Sequence, residues 1–183
     1  ILFTIIFGRL AHMDGGGMPY PLLVLAGLIP WQLFSAALTG SGDSLVANAG
    51  LISKVYFPRI IIPFATVMVG LIDFGVSLLI LVGVMAWYGV MPDWHILLLP
   101  VFVVLAVLVA IGPALWAAAM IVKYRDFRFI IPFVIQIGLY VSPVGFSAKV
   151  VPPEWQLLYS LNPMVGVIDG FRWAILGGDS PLY

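Results

Sequence analysis

Four unbroken apolar runs, each long enough to cross a bilayer, leave this chain one class of fold. A hydrocarbon core about 30 Å thick takes about 20 helical residues at about 1.5 Å each. The runs over 21–40, 60–88, 96–122 and 129–147 meet that length. In lipid every backbone N–H and C=O must find its partner inside the protein, and single runs of this length do so as helices. The expectation is an all-α, polytopic membrane helix bundle with four complete spans, one transmembrane domain over 1–183. Ile1 to Phe7 read as the last turns of an earlier span. With no initiating Met, and a last stretch from Gly177 to Tyr183 that reads as mid-loop, the chain is expected to be a piece of a longer protein, truncated at both ends.

Composition agrees and removes whole classes of function. The chain is 63% hydrophobic and 9% charged, far from soluble usage. Its eight basic and eight acidic residues cancel, so no basic stripe exists to draw a nucleic-acid backbone. Without cysteine there is no disulfide, thiolate metal site or Cys nucleophile. No GxxxxGK[ST] phosphate loop occurs, so the chain cannot hydrolyse ATP by that route, and no HExxH or other ligand spacing joins His12 to His95. Neither an enzyme nor a resident metal or cofactor is expected. The triple glycine Gly15 to Gly17 reads as a loop.

Basic residues set the orientation. Lys54 and Arg59 lie between the first two complete spans and Lys123, Arg125 and Arg128 between the last two, whereas Arg9, Lys149 and Arg172 fall on the opposite side. The positive-inside rule therefore puts the loops 41–59 and 123–128 in the cytoplasm, with Trp87, Tyr88 and Trp94 as an outer aromatic anchor. Pro30, Pro63, Pro113, Pro132 and Pro143 read as internal prolines, tolerated where neighbouring helices satisfy the freed carbonyls.

Two segments break the pattern. Residues 48–59, NAGLISKVYFPR, are a basic, half-apolar island, read as a transverse helix over Leu51 to Phe57 stopped by Pro58. Such a helix suggests a lever pushed by an energy-supplying partner, the bland alternative being a loop whose cations only set topology. After the fourth span come a Pro-Pro turn over Lys149 to Pro153, a short amphipathic piece over Glu154 to Leu161 and then Met164 to Leu176, too short and too charged to span. These residues, 150–176, read as interfacial or re-entrant helices on the outer side, with Asp169 and Arg172 spaced i, i+3 to pair. Plain surface packing is the alternative.

Asp73 is the ionisable residue deep in a span. A carboxylate in hydrocarbon costs several kcal/mol, so it should face the bundle interior, be protonated or line a wet path. A structural hydrogen bond to a neighbouring helix, a position on a pathway and proton coupling stay open. Gln136 and Trp31, also deep, read as packing residues before substrate contacts.

Taken in order, PYPLLVLAGLIPWQLFSAAL at 19–38, NAGLISKVYFPRIIIP at 48–63, KYRDFRFIIPFVIQI at 123–137 and SPVGFSAKVVPPEWQLLYSLNPMVGVIDGFRWAILGG at 142–178 resemble the transmembrane permease of bacterial ABC-2 type polysaccharide exporters. The resemblance covers nearly the whole chain. It implies six spans in the full subunit, a second permease subunit as homodimer partner, a cytosolic ABC ATPase that binds the ATP and Mg, and a lipid-linked O-antigen, capsule or teichoic-acid glycan moved across the bacterial inner membrane. It further implies that Asn48, Leu51, Ile52, Lys54, Val55, Tyr56, Phe57 and Arg59 couple to the ATPase. The outer helices would close the pore, with Asp169 and Arg172 at the outer gate. A sugar path needs aromatic faces for C–H stacking and polar edges for hydroxyls, which makes Trp31, Phe34, Asp73, Trp116, Tyr140 and Phe146 its candidates. Lys123, Arg125 and Arg128 could receive a lipid phosphate at the inner leaflet, or serve only as topology charges. An exporter of drugs or other small molecules, and an ion-coupled carrier using Asp73, are the alternatives.

Overall fold

The computed structural model describes residues 19–54, 56, 58–90, 94–145 and 159–177. They form six α-helices and no strand: α1 Tyr20–Ala47, α2 Ala49–Lys54, α3 Ile61–Trp87, α4 Leu99–Lys123, α5 Phe127–Val141 and α6 Pro163–Leu176, with a 3-10 turn, Trp94–Leu98, leading into α4. Among the described residues three helices are long and apolar enough to cross a membrane. Ile1 to Phe7, the Lys149 to Pro153 turn and most of the Glu154 to Leu161 piece lie outside the described residues.

Helix α1 is the hub. Its N-terminal half presents Leu22, Ala26, Ile29 and Leu33 to Phe74, Leu81 and Met85 of α3, Ala106 of α4 and Phe171 and Ile175 of α6. Its other half packs Ala37 and Leu38 against Val67, Ala110, Ala114, Ala117, Ile121 and Ile131. The buried face of α4 is almost all alanine, with Ala106, Ala110, Ala114 and Ala118 at four-residue spacing. Small residues in that register bring two backbones close, which is how helices gain contact where lipid removes the hydrophobic drive.

Two span boundaries differ from expectation. Helix α1 does not stop at Gly40 but runs 28 residues to Ala47, because Ser41, Gly42 and Ser44 are buried against its neighbours and Ser41 Oγ donates to the Pro63 carbonyl at 3.0 Å. The loop expected over 41–59 thus begins seven residues late. The fourth run, expected over 129–147, forms a helix only 15 residues long, about 22 Å, ending at Val141. Pro143 is the cause: a residue preceding proline is driven out of the α region, and Ser142 sits at ψ 151°. Pro143 is therefore a helix terminator, not an internal proline, and Pro63 lies in the first turn of α3. Pro30, Pro113 and Pro132 are inside helices as expected.

Helix α6 starts at mid-depth and climbs. Met164 and Ile168 pack with Trp31 and Val144 near the middle of α1, while Ile175 and Leu176 join Leu22 and Met85 at the far end. Phe171 is fully buried, so α6 packs into the bundle through that face. Asn162 caps it, Oδ1 accepting from the Met164 N–H at 3.1 Å, with Pro163 at the first helical position where its missing N–H costs nothing.

Candidate functional site: an aromatic cleft between a clamp and an elbow

A cleft of about 360 Å³ opens between α1, α4 and α5. Trp31, Phe34 and Leu38 of α1 form one wall, Pro113, Trp116 and Ala117 of α4 another, and Phe127, Ile131, Val134 and Gly138 of α5 the third. Trp31 and Phe34 lie 5.4 Å apart between ring centroids, and Trp116 meets Phe127 edge-on at 5.9 Å. Gly138 makes room for this: a Cβ there would sit 2.7 Å from the Trp31 ring. The polar end is the α5 break, where Asn162 Nδ2 donates to Ser142 Oγ at 3.1 Å. At the other end Trp116 is 56% exposed. The space therefore runs from the basic 123–128 loop to mid-depth, apolar along its length and able to hydrogen-bond at its head.

Of the expected path residues, the structure brings Trp31, Phe34 and Trp116 together here. Tyr140 is 63% exposed on another face of α5 and does not line the cleft. Phe146 lies outside the described residues. Among the described residues Asp73 is exposed on the side of α3 away from α1, because Val67, Gly70 and Phe74 occupy the side toward it. Gln136 is likewise exposed. Phe127, Ser142 and Asn162 were not anticipated as cleft residues; the Ser-Pro pair at 142–143 and Asn-Pro pair at 162–163 were their signal, since both dipeptides mark helix ends.

Above the cleft sits a clamp centred on Arg172. Its Nη2 donates to the Val144 carbonyl at 2.7 Å and its Nε to the Leu23 carbonyl at 3.1 Å, tying α6 to both the α5 break and α1. The expected pairing with Asp169 is present but loose, 3.8 Å from Nη1 to Oδ1, so the carbonyls are the tighter partners. Gly27 clears the space, since a Cβ there would lie 2.6 Å from Arg172 Nη2. Tyr20 adds a fourth tie, its hydroxyl donating to the Gly145 carbonyl at 2.6 Å. The break thus has its freed carbonyls satisfied by side chains distant in sequence, as backbone at membrane depth requires.

At the opposite, basic face the chain turns through an elbow. Asn48 ends α1 and starts α2: its N–H and Nδ2 both donate to the Ser44 carbonyl, at 3.1 and 2.8 Å, while its own carbonyl accepts from Leu51 and Ile52. Helix α2 ends at Lys54, shorter than the Leu51 to Phe57 helix expected, and has no buried residue. Val55 and Phe57 lie outside the described residues. Leu51, Lys54 and Arg59 are exposed and Tyr56 is fully so. Nothing in this chain covers them among the described residues. Of the second basic loop, Arg128 Nε bonds Asp43 Oδ1 at 2.8 Å, which brings the two basic loops to one face, and Lys123 lies over the Tyr124 ring at 5.1 Å. Arg125 is exposed.

The model of the ABC-2 type transporter membrane family matches residues 1–176. The chain is 28% identical to the O-antigen export system permease protein RfbA of Myxococcus xanthus over 84% of this chain and 60% of that protein. It is 26% identical to RfbA of Klebsiella pneumoniae over 87% and 62%, and 27% identical to the inner membrane transport permease YadH of Escherichia coli K12 over 99% and 74%. The chain thus spans about three-fifths of the length of the RfbA relatives. With a match over nearly its whole length and a helical membrane bundle to go with it, the chain belongs to the ABC-2 type transporter permease family.

Proposed function

We propose that this chain is part of the membrane-spanning permease of an ATP-driven exporter, moving a lipid-linked polysaccharide across the bacterial cytoplasmic membrane with a cytosolic ABC ATPase and a second permease subunit. The aromatic cleft carries the reading. Sugars present apolar C–H faces that stack on rings and hydroxyl edges that need hydrogen bonds, and Trp31, Phe34, Trp116 and Phe127 with Ser142 and Asn162 offer both. The RfbA relatives, named for O-antigen export, support the same substrate class.

In this reading the basic face is cytosolic, and α2 is where the ATPase pushes. ATP binding would draw two ATPases together, press on Leu51, Ile52 and Lys54, and move α1 through the Asn48 elbow. Since α1 is one wall of the cleft, that movement changes the cleft's width. Hydrolysis would reset it. Lys123 and Arg125 stand near the cleft's open end, where they would meet a lipid phosphate, while Arg128 is already engaged by Asp43.

The test uses the full-length permease in its native membrane. Wild type is expected to co-purify a P-loop ATPase, and the Lys54→Glu, Tyr56→Ala variant to lose it. Trp31→Ala with Trp116→Ala is expected to keep the ATPase but abolish glycan at the cell surface. Recovery of no ATPase with wild type sinks the exporter reading; unchanged surface glycan in the cleft variant sinks the substrate path. A small-molecule exporter is the second reading, since YadH is named only as a transport permease.

A further inference from the structure

The clamp holds a carboxylate oxygen that bonds nothing. Asp169 Oδ2 is buried and no group among the described residues donates to it, while Oδ1 stands 3.8 Å from Arg172 Nη1. A charge-assisted bond between such groups spans about 2.7–2.9 Å, so the ion pair stops about 1 Å short of forming. A carboxylate out of water needs its lone pairs met, and a guanidinium meets them better than anything else, two N–H groups to two oxygens. Arg172 nevertheless gives its shortest bond to the Val144 carbonyl, 2.7 Å from Nη2. The two acceptors compete, because Nη1 and Nη2 cannot fork Asp169 while Nη2 stays on Val144. Asp169 lies one turn before Arg172 on α6, so pairing with it involves no other helix, whereas Val144 lies beyond the end of α5. Gly27 gives the guanidinium its room: a Cβ there would stand 2.6 Å from Nη2 and 2.9 Å from the Val144 carbonyl oxygen.

We infer that Asp169 is a positioning residue that draws Arg172 off the Val144 carbonyl, giving the clamp two positions. In one, seen here, Arg172 pins the α5 break to α6; in the other it forks Asp169 and the break is released. The break is the head of the cleft, since Ser142 lines it and Val144 packs with Trp31 and Met164. Release therefore frees the end of the cleft away from the basic face. For the export proposed above, on which this role rests, the pinned position seals the path between cycles and the forked position opens it. A purely structural ion pair does the reverse: Asp169 then holds Arg172 in place, and the break with it.

The two roles predict opposite signs in amide hydrogen exchange, which reads how often the break opens. Exchange of the peptide carrying Ser142, Val144 and Gly145 is followed by mass spectrometry on the full-length permease in lipid nanodiscs. Asp169→Asn keeps the shape of the side chain but not its charge, and by removing the competitor it is expected to slow exchange at the break several-fold. Faster exchange, at the break alone or through the whole bundle, would make Asp169 a prop for Arg172; unchanged exchange would make it a bystander. Either result overturns the inference. Gly27→Ala crowds Nη2 and the Val144 carbonyl apart and is expected to speed exchange at the break several-fold, with slower or unchanged exchange counting against two positions. In cells, Asp169→Asn is expected to capture the ATPase as wild type does and to lose surface glycan several-fold. Slowed exchange with normal surface glycan would overturn the sealing role. If wild type captures no ATPase, the export reading is what fails, and the exchange result still decides whether the clamp has two positions.

Discussion

The two ends of the α1 hub are built in opposite ways. At the far end α6, the α5 break and α1 are locked together: Arg172 is buried, 10% exposed at its side chain, and Tyr20 and Asn162 add ties across more than a hundred and across twenty residues of sequence respectively. At the basic end α2 has no buried residue, and its bonds run mostly to the turn before it. The first end is satisfied by this chain's own groups. The second presents Leu51 and Tyr56 to whatever comes. The proposed exporter, driven by an ATPase from one side, would use this asymmetry: a stiff body to transmit a displacement and an uncommitted surface to receive it.

Substitutions that break the comparison should rank accordingly. Arg172→Met keeps the bulk but leaves Asp169, Val144 O and Leu23 O without their donor in a buried site, and is expected to cost about 3–5 kcal/mol, read as a collapse of the unfolding midpoint in detergent. Gly138→Val forces the Trp31 ring aside and should cost about 1–3 kcal/mol, with loss of the cleft visible as a shift in tryptophan emission. Tyr20→Phe removes one hydrogen bond at the break and should cost about 1 kcal/mol by the same unfolding assay. Asp43→Asn breaks a half-exposed ion pair, and a change under about 1 kcal/mol that shrinks further in high salt is expected. Lys54→Glu is the sharpest contrast, expected within about 0.5 kcal/mol of wild type while ATPase capture is lost. Equal destabilisation by Lys54→Glu and Arg172→Met would erase the distinction between the two ends.

Much of the fold was legible because bilayer thickness imposes a length that shows in a single chain. The run at 60–88 became Ile61–Trp87 almost residue for residue, and the run at 96–122 became Leu99–Lys123. The fourth run misled because hydropathy continues past Ser142 while the backbone does not. The buried end of α1 was misread as loop since Ser41, Gly42 and Ser44 look like turn residues, yet small side chains are what close packing in a membrane selects. The alanine register of α4 was visible in the sequence and is the clearest signal that went unused. Trp31, Phe34 and Trp116 line one cleft, but the reasoning that grouped them also admitted Tyr140, because aromaticity does not say which side of a helix faces a neighbour.

By itself the sequence determined the class, a helical membrane bundle, the shared face of its two basic loops and the short polar-interrupted segment after the fourth run, since the cost of polar groups in hydrocarbon acts on each segment separately. Tertiary structure decided the rest: that Arg172 bonds carbonyls of α1 and the α5 break more closely than Asp169, that Asp73 turns outward, and that three helices leave an aromatic cleft between them. Those outcomes depend on how helices rotate about their axes, and rotation is set by which small and large side chains fit against one another across the bundle.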